Sequence, residues 1–232
     1  AGLFAADPSA SSAPQSAVGG KSPAKDRDAR FEPEVAKLET SPSPSPGGVL
    51  MVGSSIFKRW TNAAADLAPL PVTNRAFGGS RTIDQLSFFE RIVPSSEASL
   101  VVWYCGSNDI NGSEPPGAVL GRTKEWVSRT RASLPKARII LVSVIRAPQK
   151  REKGYLAAVD EVNRGLRQLA ESVPGVLYVD VNPPLETSSG DSRPECYVED
   201  KLHMTPEGYK AMASLLLPAM TKEYKNASTK TP

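Results

Sequence analysis

Gly48-Val49-Leu50-Met51-Val52-Gly53-Ser54-Ser55-Ile56-Phe57-Lys58-Arg59-Trp60 opens with an unbroken apolar run and breaks at a glycine and two serines. A strand with one face in water alternates apolar and polar residues, whereas one buried on both faces reads as continuously apolar. The same signature recurs at Pro71-Val72-Thr73-Asn74, Leu100-Val101-Val102-Trp103-Tyr104-Cys105, Ile139-Ile140-Leu141-Val142-Ser143-Val144-Ile145 and Val176-Leu177-Tyr178-Val179-Asp180-Val181. Helical patterns lie between these runs. In the clearest, Tyr155, Val159, Val162, Leu166, Leu169 and Val173 recur at three- and four-residue steps. The last helix has a defined start, with Thr205 as N-cap, Pro206 at the first helical position and Glu207 in the first turn. Five strands alternating with helices predict an α/β fold: a three-layer α/β/α sandwich on a five-stranded parallel sheet.

Outside this pattern the composition shifts. Residues 1–47 carry seven of the 21 prolines, end in Ser41-Pro42-Ser43-Pro44-Ser45-Pro46, and read as a disordered or extended leader rich in Pro, Ser and Ala. Within it, Arg30 to Glu39 could form a short helix whose Phe31, Val35 and Leu38 share a face against the main body. Ala1-Gly2-Leu3-Phe4-Ala5-Ala6-Asp7 resembles the tail of an export signal, which points to a secreted or periplasmic protein; the alternative is a cytoplasmic one. The domain proper spans 48–222, and residues 223–232 read as a flexible tail.

Composition removes several function classes. Lys+Arg 28 against Asp+Glu 25 leaves a formal charge of +3, too small an excess to point to nucleic acid. No run approaches the roughly 18 apolar residues of a spanning helix, so membrane insertion is not expected. One histidine and two cysteines cannot furnish the four or so His/Cys ligands of a structural zinc site. Any imidazole chemistry falls to His203.

In a parallel sheet of this kind, ligands bind beyond the carboxyl ends of the strands. Four segments there carry chemistry. Ser54 and Ser55 follow the first strand, where a serine can act as an N-cap or, with its hydroxyl raised above the sheet, as a nucleophile. Asn74-Arg75-Ala76-Phe77-Gly78-Gly79-Ser80 follows the second, with paired glycines that let the backbone approach a ligand. Gly106-Ser107-Asn108-Asp109 follows the third, and the Asn108 amide can donate to an oxyanion or form an Asx turn. Asp200-Lys201-Leu202-His203 follows the fifth, with a carboxylate placed to hold an imidazole Nδ1–H. Together they supply a nucleophile, base, orienter and oxyanion donors. Gly53-Ser54-Ser55-Ile56-Phe57 fails the G-x-S-x-G elbow of α/β-hydrolases, because position 57 is Phe.

These four blocks, in order, resemble the SGNH hydrolases, or GDSL-type lipases and esterases, over residues 48 to about 220. One departure is Ser54, where the usual first block has Asp; a branch similar to platelet-activating-factor acetylhydrolase subunits carries a GSS form ending in Trp, like Trp60 here. The resemblance implies a flavodoxin-like fold and ester hydrolysis without a metal or other cofactor. It implies Ser55 as nucleophile, His203 as base, Asp200 as its orienter, and an oxyanion hole from Ser55, Gly79 and Asn108. Glu199 is a competing orienter that a strand-like backbone would turn away.

With aromatics at 6% and no amphipathic lid segment, a short acyl group, acetyl first, on a carbohydrate is the expected substrate. A lipid-directed acylhydrolase is the alternative, and an inactive glycan-binding module a remote one. Trp60, Phe77, Arg81 and Tyr197 are candidate substrate contacts. The basic loop from Arg146 to Arg151 is either a contact for an anionic glycan or a solvated loop, and Cys105 and Cys196 either pair or remain separate thiols.

Overall fold

The computed structural model describes residues 23–41 and 44–228. Its sheet has five parallel strands, β1 (Val49–Gly53), β2 (Val72–Asn74), β3 (Leu100–Tyr104), β4 (Arg138–Val142) and β5 (Val176–Val179), in the order β2-β1-β3-β4-β5. Val49 is in register with Val72 on one side and Leu100 on the other. The helices are α1 (Pro23–Thr40), α2 (Ser55–Lys58), α3 (Ala63–Asp66), α4 (Thr82–Ser87), α5 (Phe89–Ile92), α6 (Ser107–Asn111), α7 (Pro116–Ser133), α8 (Pro148–Glu152), α9 (Leu156–Ser172) and α10 (Pro206–Ser228). The order is that of a flavodoxin-like sheet, and the direction of winding reverses at β1/β3, where such folds open a crevice.

Alternation along the strands builds two cores. Val49 and Met51 join α2, α3 and α10 on one face; Leu50 and Val52 join α1, α4, α5, α7 and α9 on the other. Every residue of β1 and β3 is buried, which is why those segments read as continuously apolar. Cys196 lies in the first core and Cys105 in the second, so both are buried free thiols on opposite sides of the sheet.

Two parts of the sequence reading need correction. Residues 23–40 of the leader are helical and docked. Phe31 and Val35 are buried, Leu38 packs beside them, and the Phe31 ring meets Phe77 edge-on at 5.3 Å and Phe88 at 6.5 Å. Arg91 clasps the outer face of α1 through Glu32 and Glu39, at 2.7 and 2.6 Å. The proline count misled because Pro33 is tolerated inside this helix, while the three apolar residues at helical spacing decide its fate. The presumed tail also begins as helix: α10 runs to Ser228, and Glu223 is buried against Arg138. The export-signal reading at residues 1–7 and the last four residues lie outside the described residues.

Candidate active site

The turn from β1 to α2 is forced by Gly53. Its φ of +141° is a conformation that side-chain-bearing residues avoid, and a Cβ there would collide with the Tyr104 carbonyl. The chain then reverses with the Ser54 N–H donating to Tyr104 O at 3.0 Å, and the Ser54 carbonyl accepts from Phe57 and Lys58 N–H, each at 3.1 Å. Ser54 therefore caps α2 with its backbone; its hydroxyl is buried and finds no partner among the described residues. Ser55, half-buried, opens the helix.

The loop after β2 is stitched to this turn. Asn74 donates from Nδ2 to Phe57 O at 2.6 Å and accepts the Ala76 N–H at 3.1 Å. Phe77 N–H donates to Gly53 O at 3.0 Å, and Gln85 donates to Gly53 O and to Ser80 Oγ, both at 2.9 Å. Gly79, with φ +75°, is half-buried at the crest of the loop. Neither the Ser55 nor the Gly79 backbone N–H makes a hydrogen bond among the described residues. The third segment is fixed the same way. Asn108 donates one Nδ2–H to Ser80 O at 2.9 Å, which sets the amide plane and leaves its second N–H over for another acceptor. Asp109 is fully buried and accepts from the Thr82 N–H at 3.1 Å and from the Thr82 hydroxyl at 2.5 Å. Burial pushes its carboxyl upward, with the Thr82 bonds opposing.

His203 comes to Ser55 from 148 residues away, with Nε2 2.9 Å from Oγ. Its Nδ1 stands 2.5 Å from Asp200 Oδ2, while Asp200 Oδ1 accepts the backbone N–H of His203 at 2.8 Å and of Leu202 at 3.0 Å. Burial raises the Asp200 carboxyl. The hydrogen bonds from the His203 ring and from the two backbone N–H groups outweigh it and hold the group down to about 2. Asp200 rather than Glu199 contacts the imidazole.

The structure thus brings Ser55, Gly79, Asn108, Asp200 and His203 to the carboxyl edge of β1 and β3. It does not bring all the expected substrate contacts with them. Trp60 stacks on Tyr209 at 5.1 Å and donates to Asp66 at 2.7 Å, and Phe77 lies under α1. At 2% and 0% exposure both belong to the core, and only Trp60 also touches a surface groove, on the α1 side of the domain. Tyr197 is mostly buried and borders a cavity of about 320 Å³ between α8 and the His203 loop. Arg81 keeps an exposed side chain against Glu114 at 3.3 Å. In the loop after β4, Arg146 is bound by Asp160 and Glu186, and Arg151 by Asp191 at 3.5 Å. Its remaining cation, Lys150, is fully buried and donates to Ser107 O at 2.8 Å and Asn111 Oδ1 at 2.7 Å, bracing the segment that carries Asn108. Nothing in the local sequence marks Lys150 as internal; its role appears only when α8 packs behind α6.

The residues 48–211 match the model of the GDSL-like lipase/acylhydrolase family. Fold and family together define an α/β/α hydrolase of the SGNH class. The chain belongs to the GDSL-like lipase/acylhydrolase family. Among solved structures it resembles a GDSL-like lipase from Bacteroides thetaiotaomicron at 24% identity, covering 84% of this chain and 97% of that one, with a TM-score of 0.68. A carbohydrate esterase family 3 protein from Talaromyces cellulolyticus matches at 16% identity over 77% and 98%, with a TM-score of 0.62. An acetyl esterase variant with an acetate ion matches at 15% over 77% and 98%, with a TM-score of 0.61. At these identities the likeness is one of fold. No curated protein matches the chain. Among the described residues no helix is long and apolar enough to cross a membrane.

Proposed function

We propose that the protein is a serine esterase that removes short acyl groups, acetyl first, from a carbohydrate. The observation that carries this reading is the chain Ser55 Oγ–His203 Nε2 at 2.9 Å and His203 Nδ1–Asp200 Oδ2 at 2.5 Å. Ser55 attacks the ester carbonyl as His203 Nε2 takes its proton. The same imidazolium then returns the proton to the departing alcohol, and water repeats the cycle on the acyl-enzyme. Asp200, anionic throughout the working range, fixes the ring so that Nε2 faces the serine, and stabilises the imidazolium. The N–H groups of Ser55 and Gly79 and the second N–H of Asn108 Nδ2 receive the oxyanion.

The short-acyl preference is supported by how open the site is. Ser55, Gly79, Asn108 and His203 are each half-buried, and the flanking aromatics Trp60 and Phe77 are taken up by the core instead of lining an acyl tunnel. The test is a panel of p-nitrophenyl esters from acetyl to dodecanoyl, alongside acetylated glycans. The expected result is the highest kcat/KM on acetyl and release of acetate from the glycan. A steep rise toward dodecanoyl would overturn the reading in favour of a lipid-directed acylhydrolase.

A further inference from the structure

The cations that border the catalytic loops are tied to carboxylates almost without exception among the described residues. Lys58 holds Glu34 at 2.7 Å, Arg59 stands 3.9 Å from Asp200, Arg81 holds Glu114 and Lys201 holds Glu152. Among the described residues Arg30 makes no ion pair, although its side chain is exposed. It stands directly over Gly79: a methyl group added there would come within 2.9 Å of an Arg30 terminal nitrogen and 3.8 Å of Cζ. The arginine is positioned from its own helix. Phe31, next in the chain, is anchored in the core with its ring 5.0 Å beneath the guanidinium, and Glu34, one turn on, accepts the Gly78 N–H at 3.3 Å. From this point a groove of about 580 Å³ runs between α1 and the α2–β2 side of the domain, past Glu34, Lys37, Lys58 and Asn74. Three cations against one carboxylate give it a net positive lining, and two of them stand against the Gly78–Gly79 turn: Arg30 over Gly79, and Lys58 at 3.1 Å from where a Cβ on Gly78 would lie. Helix α1 lies outside residues 48–211, the stretch that the family model matches.

We propose that this groove is an anionic subsite: it receives an oxyanion group carried by the alcohol part of the ester, and Arg30 selects for it. The inference rests on the esterase reading. A guanidinium with no internal carboxylate retains its planar fork for a ligand, and a carboxylate, sulfate or phosphate is the group that matches it. The experiment compares phenyl acetate with 3- and 4-acetoxybenzoate and 4-acetoxyphenyl sulfate, on the wild type and on Arg30→Gln, Arg30→Lys and Arg30→Glu. The wild type should favour an anionic ester over phenyl acetate by about tenfold in kcat/KM, worth about 1.4 kcal/mol. Arg30→Gln should bring that ratio near unity through KM, Arg30→Lys should keep part of it, and Arg30→Glu should turn it below unity. Which arm, carboxylate or sulfate, shows the larger ratio names the oxyanion. A wild type with no preference, or a ratio that survives Arg30→Gln within twofold, overturns the subsite and leaves the esterase reading standing. A wild type inactive on all four esters overturns both.

Discussion

At the scale of single residues, the candidate site holds its polar groups fixed within the fold. Asn108 is the clearest case: one amide hydrogen is spent on Ser80 O so that the other is aimed. Asn108→Ala should lower kcat roughly 100- to 1000-fold, about 2.7–4 kcal/mol of barrier, with KM little changed, because the lost bond forms only as charge develops. Steady-state kinetics on an acetyl ester check this; an equal loss confined to KM would show that Asn108 merely binds. Lys150 gives a second prediction. Burial, aided by repulsion from Lys153 and opposed by Asp109, pushes its ammonium down to about 7. In the unfolded chain it stays protonated to about 10.4. Between these values the unfolded state binds more protons, so the Lys150 contribution to stability should rise with pH from about 7 to 10 and be flat below. Urea unfolding of the wild type and Lys150→Met at pH 7, 8.5 and 10 should show the wild type gaining on the variant; parallel values would contradict it. The five catalytic candidates were legible because each belongs to a short block with its own chemistry. Lys150 and Arg30 were not, since their meaning depends on partners 39 or more residues away.

At the scale of elements, the strands were legible and the ends of the chain were not, for one physical reason. A strand covered on both faces must be continuously apolar, so β1, β3 and β4 announce themselves. A surface helix needs only a narrow apolar stripe, and α1 supplies it with Phe31, Val35 and Leu38 amid polar residues and a proline. That stripe alone foretold the docking, while the bulk composition pointed the other way. Trp60 and Phe77 illustrate the converse error: aromatics beside catalytic blocks look like substrate contacts until α10 and α1 are seen to cover them. The docking of α1 depends most on Phe31. Phe31→Ala should cost about 3–5 kcal/mol, read as a lowered unfolding midpoint together with faster hydrogen exchange in α1 amides. Unchanged exchange across α1 would show that the charged clasps of Arg91, not the aromatic cluster, hold the helix.

At the scale of the whole molecule, the sheet order places the β1 and β3 ends side by side at the point where winding reverses, and α1 closes one flank of that edge with a cationic groove. The chain-level consequence is a site assembled from segments far apart in sequence, with the lone histidine meeting Ser55 across 148 residues. The central claim is that this histidine activates this serine. Labelling with a serine-reactive fluorophosphonate, followed by peptide mass mapping, tests it most directly. The account predicts one label per chain, on Ser55, absent in Ser55→Ala and strongly slowed in His203→Ala. Undiminished labelling of Ser55→Ala, or ester hydrolysis by a chain that takes no label at Ser55, would contradict it.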